Sequence, residues 1–169
     1  MQFIELARKR YSVRSYRAEP VEDDKLQLVL QAARLAPTAA NRQAFQLIVI
    51  LTKDRESELL RIYNRSWFVR APVVICICAI PGEAWVRVDG KNYGEVDAAI
   101  VMDHLVLAAT DLGLGTCWIA AFDPVAAREI LGIPAQVTPI AFTTLGYPAD
   151  QSQTKKRKNL DDLVRYNHW

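Results

Sequence analysis

Apolar residues recur along this chain in two patterns, one with the spacing of a helix and one as short continuous runs. Apolar positions three and four residues apart predict helices, and short unbroken runs predict buried strands. The helical pattern occupies residues 3–10, 22–36, 54–63, 93–112, 123–131 and 161–166. The apolar runs occupy residues 46–51, 72–80, 116–120 and 137–145. Helices that alternate with buried strands indicate an α/β or α+β domain in which helices cover a sheet.

Residues that favour helix ends mark several of these boundaries. Pro37 follows the second helix and stops it, because proline lacks the N–H that a helix interior needs. Asp54 is a candidate N-cap for the third helix, since a carboxylate can accept from the first free N–H groups. Asp123 precedes Pro124, which occupies the favoured first position of the fifth helix.

The predicted helix at 93–112 is apolar on nearly all sides, which is typical of a deeply buried helix. At about 1.5 Å per residue it spans roughly 30 Å. A domain of this size has too little other structure to cover such a helix completely. We therefore expect a second subunit to bury one of its faces.

The composition is that of one globular domain. The chain has 169 residues, 51% hydrophobic and 24% charged, and we treat residues 1–169 as a single domain. Its 21 basic and 19 acidic residues leave a net charge of +2, which disfavours nucleic acid and anionic membranes as partners. Charged residues interrupt the apolar stretches, so neither a signal peptide nor a membrane span is expected. Three cysteines make no disulfide framework and favour a reducing cytoplasm.

Conventional catalytic groups are sparse. We expect His104, in the long apolar helix, to be a core histidine with satisfied hydrogen bonds, and His168 to be exposed. A serine hydrolase is disfavoured because there is no G-x-S-x-G motif. Cys76 and Cys78 share one strand face without further metal ligands, so we expect inert thiols and no metal site. Cys117 is either a packing residue or a neighbour of a ligand, and we name no catalytic residue.

Two basic clusters are candidates for phosphate binding. The chain has neither the G-x-x-x-x-G-K-[ST] motif nor a G-x-G-x-x-G motif after a strand, so a P-loop or ordinary dinucleotide fold is disfavoured. One cluster comprises Arg8, Lys9, Arg10 and Arg14, and the other is 155–158. Each cluster alone is typical of a solvated surface. Together they could bind one phosphate from two sides, although their separation in sequence leaves open whether they meet.

Two loops have residues suited to a planar ligand. Residues 37–43 (PTAANRQ) are small and polar, and they form either a connector or a loop that hydrogen-bonds a heterocycle. Residues 113–119 (GLGTCWI) follow the buried helix, and their two glycines allow a helix C-cap or a close approach of backbone to a flat ligand.

Taken in order, these segments resemble the nitroreductase family of flavin-dependent oxidoreductases. The sequence RYSVRSY at 10–16 is similar to that family's R-x-S-x-R/K-x-F, and APTAANRQ at 36–43 is similar to A-P-S-x-x-N-x-Q. Tyr93 and Asp97 then lead to GLGTCWI, and LGYP at 145–148 precedes RKNLDDLV at 157–164. The resemblance covers nearly the whole chain.

The resemblance implies an α+β fold with a central mixed, mainly antiparallel sheet flanked by helices. It implies an interlocked homodimer with exchanged C-terminal segments and one FMN at each end of the interface. The implied activity passes electrons from NADH or NADPH through FMN to nitroaromatics, quinones or similar flat acceptors, by a ping-pong mechanism. A non-catalytic flavin-binding or flavin-sensing protein is the alternative. A nucleic-acid-binding module that uses 155–158 is disfavoured by the nearly neutral charge.

The resemblance also assigns cofactor-binding residues by motif position. The phosphate, the ribityl chain and the pyrimidine edge would contact Arg10, Tyr11, Ser12 and Arg14, and Lys155 and Arg157 would complete the phosphate site. The second subunit would supply Pro37, Thr38, Ala39 and Asn41. The ring would lie near the backbone of Trp118, Ile119 and Ala120, with Asn64 as a further contact. Ala39 departs from the family pattern, which commonly has a hydroxyl there, and the connector at 80–93 is shorter than in larger members.

Overall fold

The computed structural model describes residues 2–152 and 155–169, and over these residues the chain forms six α-helices and four β-strands. The helices are α1 (Phe3–Lys9), α2 (Asp23–Arg34), α3 (Glu56–Ile62), α4 (Ser66–Arg70), α5 (Gly94–Asp111) and α6 (Pro124–Leu131). The strands are β1 (Phe45–Leu51), β2 (Val73–Ala79), β3 (Gly115–Ile119) and β4 (Thr138–Gly146). Short 3-10 turns occupy Ala39–Asn41 and Leu160–Asp162.

The four strands form one antiparallel sheet in the order β1-β2-β4-β3. The central strand β2 is buried along its whole length, which explains its continuous apolar run. A parallel bridge between Ser12 and Thr116 adds the N-terminal segment beside β3, so the sheet is mixed but mainly antiparallel. The predicted α+β fold is confirmed.

Alternate residues of β2 pack into two apolar layers. Val73, Ile75 and Ile77 face the layer formed with α2 and α5. Val74, Cys76 and Cys78 face the opposite layer, which contains residues of α3, α4 and α6. The two thiols share a face as predicted, with 3.7 Å between their sulfur atoms. The sheet therefore lies between two layers of helices.

Helix α5 is the buried helix that the sequence predicts, with Val101, Met102 and Leu105 fully enclosed. His104 departs from the expectation, because it is half-buried rather than in the core. Its Nδ1 lies 3.0 Å from the carbonyl oxygen of Ile100, within the same helix. His168 is exposed, as expected. None of the helices in the described parts of the chain is both long and apolar enough to cross a membrane.

The N-cap predicted for α6 is confirmed, whereas the N-cap predicted for α3 is wrong. The Asp123 carboxylate accepts from the N–H groups of Val125 (2.9 Å) and Ala126 (3.0 Å), which confirms the N-cap of α6. Asp54 does not cap α3, because it has a positive φ of 63° and the helix begins only at Glu56. The helix predicted at 161–166 is also wrong, since this segment forms only the Leu160–Asp162 turn.

Candidate functional site

The N-terminal segment is held against β3 on one side and against the segment after β4 on the other. The N–H of Val13 donates to the carbonyl of Thr116 at 2.9 Å. The N–H of Ala149 donates to the carbonyl of Ser15 at 2.8 Å, and Tyr16 bridges to Pro148. These pairings bring the first basic cluster next to the segment that leads to the basic tail at 155–158.

A cavity of about 390 Å³ opens where these segments meet, and we call it the basic cavity. Its lining residues are Arg10, Tyr11, Ser12, Arg14, Asp150, Gln151, Lys155 and Arg157. Six of the predicted cofactor-binding residues therefore come together in one chain. The lining carries four cationic side chains and one carboxylate, a balance that favours an anion. The volume falls in the range of small-molecule sites, which is about 300–1,000 Å³.

Asp150 is a lining residue that the sequence did not single out, since no motif or local spacing distinguishes it. Its Oδ2 accepts from the backbone N–H of Arg14 at 2.9 Å. The Tyr11 hydroxyl lies 2.9 Å from the carbonyl oxygen of Asp150 and 3.0 Å from Oδ1 of the same residue. Burial and the neighbouring Asp150 raise the pKa of Tyr11 to about 12. Asp150 thereby fastens the 10–14 segment to the start of the C-terminal tail.

Lys155 reaches back to the C-terminal end of α1. Its ammonium donates to the carbonyl of Arg8 at 2.6 Å and to that of Arg10, and it lies 3.3 Å from the carbonyl of Ala7. These three acceptors match the three hydrogens of an ammonium group. Burial, with Arg10 and Arg157 nearby, lowers the pKa of Lys155. Lys155 thus joins the tail to α1 and adds positive charge, while the guanidinium groups carry donors suited to an anion.

Close packing behind the cavity fixes the 10–14 segment. The Tyr16 hydroxyl donates to the carbonyl of Val13 at 2.9 Å and lies 2.5 Å from Oγ1 of Thr144. Burial raises the pKa of this hydroxyl. Cys117 is buried behind Ser12, and burial raises the pKa of its thiol although Arg14 and Arg10 act in the opposite direction. A neutral thiol in this position is a packing group rather than a nucleophile.

The predicted contacts on β3 and before α4 lie beside this cavity rather than in its lining. Ser12 pairs with Thr116 in a parallel bridge. In the same register, Arg14 and Trp118 follow two residues further along each segment. Trp118 is 41% exposed, whereas the side chain of Ile119 packs in the core and leaves only its backbone for a ligand.

Asn64 and Ala120 are both exposed, in the segments that follow α3 and β3. The guanidinium carbon of Arg14 lies 5.9 Å from the ring centre of Trp67, on the helix that follows Asn64. This cation–π contact links the basic cavity to α4, a helix too short for the sequence pattern to predict.

The predicted loop at 37–41 lies elsewhere. The N–H of Ala39 donates to Oδ1 of Asp97 at 2.9 Å, which ties the loop to the first turn of α5. Pro37 and Asn41 are exposed, and Thr38 and Ala39 are half-buried. The basic cavity lies near the other end of α5, because a small adjoining cavity is lined by Arg10, Tyr11 and Thr110 among others. Asp97 and Thr110 are thirteen residues apart in one helix, or about 20 Å. One chain therefore does not bring the loop to its own basic cavity.

No group of three or more His, Cys, Asp or Glu side chains within residues 2–152 and 155–169 is arranged to hold a metal ion. The three cysteines are free and buried.

The family model described as "Nitroreductase family" matches residues 7–62 and 53–147 of this chain. The FMN reductase [NAD(P)H] of Bacillus subtilis strain 168 is 31% identical over 163 residues, which are 86% of this chain and 66% of that relative. A crystal structure of a nitroreductase family protein from Clostridium difficile 630 has a TM-score of 0.92 and 38% identity and covers 100% of both chains.

An FMN-dependent nitroreductase from Clostridium difficile R20291 has a TM-score of 0.78 and 27% identity, over 99% of this chain and 100% of that one. The resemblance expected from the ordered motifs is confirmed by the family model and by these relatives. This chain belongs to the nitroreductase family.

Proposed function

We propose that this protein is an FMN-dependent oxidoreductase that passes electrons from NADH or NADPH to nitroaromatics, quinones or similar flat acceptors. Family membership and a relative named FMN reductase [NAD(P)H] support the enzyme class and the cofactor. The observation that carries the proposal for this chain is the basic cavity, where the 10–14 segment meets the C-terminal tail.

The residues of the basic cavity fit a phosphorylated flavin. Arg10 and Arg157 offer planar donors that pair well with phosphate oxygens, Lys155 adds positive charge, and Arg14 remains for the pyrimidine edge of the ring. Among the lining residues that the structure describes, only Asp150 is acidic, and its carboxylate already accepts from the Tyr11 hydroxyl and the backbone N–H of Arg14. The Ser12 hydroxyl supplies a neutral donor and acceptor suited to a ribityl chain.

Bound FMN would supply the redox chemistry that connects NAD(P)H to the second substrate. The protein's part is to bind and orient the ring. Arg14 would stabilise negative charge at the pyrimidine edge, and its side chain lies over the ring of Trp67 at 5.9 Å. The backbone of 118–120 would line the ring, beside the exposed Trp118. We assign no side chain as a catalytic acid, base or nucleophile.

We propose that the site is completed by a second copy of the chain. The distance of about 20 Å along α5 keeps the 37–41 loop away from the basic cavity of its own chain. Large apolar side chains of the tail are also uncovered in one chain, with Leu160 73%, Tyr166 82% and Trp169 104% exposed. A tail of this kind gains stability when it packs on another subunit. Exchange of the tails in a homodimer would cover these side chains and place each loop near the other chain's cavity.

We also propose a cytoplasmic location for this enzyme. The cysteines Cys76, Cys78 and Cys117 are free. Free thiols persist in a reducing compartment, where disulfides are rare.

The test is titration of flavin-free protein with FMN and, as a matched control, with riboflavin, which lacks the phosphate. We expect FMN to bind at least about a hundredfold more tightly, because several charge-assisted contacts are lost with riboflavin. Quenching of flavin fluorescence measures both affinities. Equal affinities would contradict the assignment of the basic cavity to phosphate.

Turnover is measured by NAD(P)H oxidation with a nitroarene or a quinone as acceptor. A ping-pong mechanism predicts parallel lines in double-reciprocal plots at several acceptor concentrations. Tight FMN binding without turnover for any acceptor would instead favour the non-catalytic flavin-binding alternative.

A further inference from the structure

Asp97 is a buried carboxylate with one oxygen in use and one without a partner. Its side chain is on the first turn of α5, and the residue is 1% exposed. Oδ1 accepts from the N–H of Ala39 at 2.9 Å. Oδ2 makes no hydrogen bond with any of the described residues. Buried polar atoms without a partner are rare and costly, so the position of this carboxylate calls for a reason.

The loop that Asp97 contacts has an unfavourable backbone conformation. Ala40, Asn41 and Gln43 have φ values of 50°, 52° and 53°, which L residues adopt only at a cost in free energy. Strained segments of this kind persist where the surroundings hold them, and they are concentrated at functional sites.

Few hydrogen bonds of the described residues hold this conformation. The N–H of Asn41 donates to the carbonyl of Thr38 at 2.9 Å, and that of Gln43 donates to Oγ1 of Thr38 at 3.0 Å. Both bonds lie within residues 37–43. In the described part of the chain, the bond from Ala39 to Asp97 is the hydrogen bond that ties residues 38–41 to a helix.

Helix α5 is well suited to serve as the anchor. It is 18 residues long, and its interior face, Asp97 included, is buried against the rest of the fold. The Asn92 side chain accepts from the N–H of Gly94 at 2.9 Å and fixes the start of the helix. The first turn also carries the positive end of the helix dipole, which stabilises a carboxylate there.

We propose that Asp97 is a positioning residue that holds the 37–41 loop in the shape with which it contacts the flavin of the other subunit. This inference rests on the proposed function, since that function supplies the ligand of the loop. The loop shape itself is a property of the flavin-free protein. It can therefore be tested separately from flavin binding.

The first measurement is hydrogen exchange of the Ala39 amide in flavin-free protein. We expect protection in the wild type, at least about tenfold faster exchange in Asp97→Ala, and near wild-type protection in Asp97→Asn, whose side-chain oxygen still accepts the bond. The control is Thr52→Val, which removes a buried hydroxyl bonded to the Ala71 carbonyl at 2.6 Å, away from the loop. It should lower the melting temperature without exposing the Ala39 amide. Equal protection in the wild type and in Asp97→Ala, or equal loss in both Asp97 variants, would overturn the proposal.

The second measurement is FMN affinity in the same variants, well below their melting temperatures. Asp97→Ala should bind FMN about tenfold more weakly or worse, and Asp97→Asn should stay within about threefold of the wild type. If Asp97→Ala does not fold, Asp97→Asn still tests the idea, because a loss of affinity in it would contradict the role of the accepting oxygen. If the wild type binds no FMN, the proposed function fails, while the exchange data still decide whether Asp97 shapes the loop.

Discussion

The ammonium of Lys155 donates a hydrogen bond to the backbone carbonyl of Arg10, across 145 positions of sequence. This contact joins the basic tail to the first basic segment within one chain. It also changes the part that Lys155 is expected to play, because its hydrogens point to carbonyls at the end of α1. The phosphate would then be held mainly by Arg10, whose backbone Lys155 keeps in place, and by Arg157.

Replacement of Lys155 should therefore affect both stability and binding. We expect Lys155→Met to lower the melting temperature and to weaken FMN binding about tenfold, because the end of α1 loses its donors and the cavity loses a charge. The matched control is Lys158→Met in the same exposed tail. Equal effects of the two replacements on FMN affinity would show that only the net charge of the tail counts.

The two arginines of the first segment should contribute strongly to cofactor binding. Arg10→Ala and Arg14→Ala should each weaken FMN binding by about 10- to 100-fold, since a hydrogen bond to a charged group contributes about 1.5–3 kcal/mol. Riboflavin binding should change less in Arg10→Ala than FMN binding does. Arg61→Ala is the control, because Arg61 pairs with Glu129 at 2.7 Å on the surface. An unchanged FMN affinity in both cavity variants would place the cofactor elsewhere.

A site shared between subunits predicts complementation. A chain with Arg10→Ala and Arg14→Ala lacks two arginines of the basic cavity but keeps the 37–41 loop. A chain with Asn41→Gly keeps the cavity and loses a side chain of the loop, and glycine tolerates the positive φ at this position. We expect each homodimer to bind FMN poorly, and the heterodimer, purified with two different tags, to bind one FMN in its one intact site. Flavin content per dimer is measured. A heterodimer with no flavin would contradict a shared site.

Gly115 tests the packing behind the cavity. A Cβ at this position would lie 2.6 Å from a methyl group of Val13, so a side chain would push the 10–14 segment away from β3. We expect Gly115→Ala to cost about 1–3 kcal/mol in the free energy of unfolding and to weaken FMN binding. Gly82→Ala is the control, since nothing lies within 4 Å of its added Cβ. Denaturant unfolding curves measure both variants, and similar curves would show that the segment adjusts without cost.

Stability at acidic pH should depend on Glu22. The Tyr147 hydroxyl and the Lys25 ammonium donate to its carboxylate and lower its pKa from 4.5 to about 2. Because the pKa is lowered in the folded state, the stabilisation is present above pH 4.5 and is lost as the pH falls towards 2. Glu22→Gln should reduce the fall in melting temperature over this range, whereas Glu5→Gln on exposed α1 should not. The same slope for Glu22→Gln and the wild type would contradict the prediction.

The order of helices and strands was readable from the chain because periodicity records burial directly. The continuous apolar run at 72–80 became the central strand β2, and the helix at 93–112 became α5 to within one residue at each end. Signals that depend on a single side chain were less secure. Asp123 caps α6, but Asp54 takes a left-handed conformation before α3, although both are acidic residues next to a helix. The short helix α4 has too few residues to show a period.

The order of the elements, the motifs of the family and six residues that line the basic cavity can be read from the sequence alone. The folded chain was needed to show that the two basic clusters meet, that Asp150 joins them and that Lys155 bonds to the end of α1. It also placed the 37–41 loop at the opposite end of α5. The physical reason is that periodicity and capping are local, whereas these contacts join residues more than 50 positions apart. The register of the sheet and the length of α5 determine which residues meet. No local sequence pattern specifies these long-range pairings.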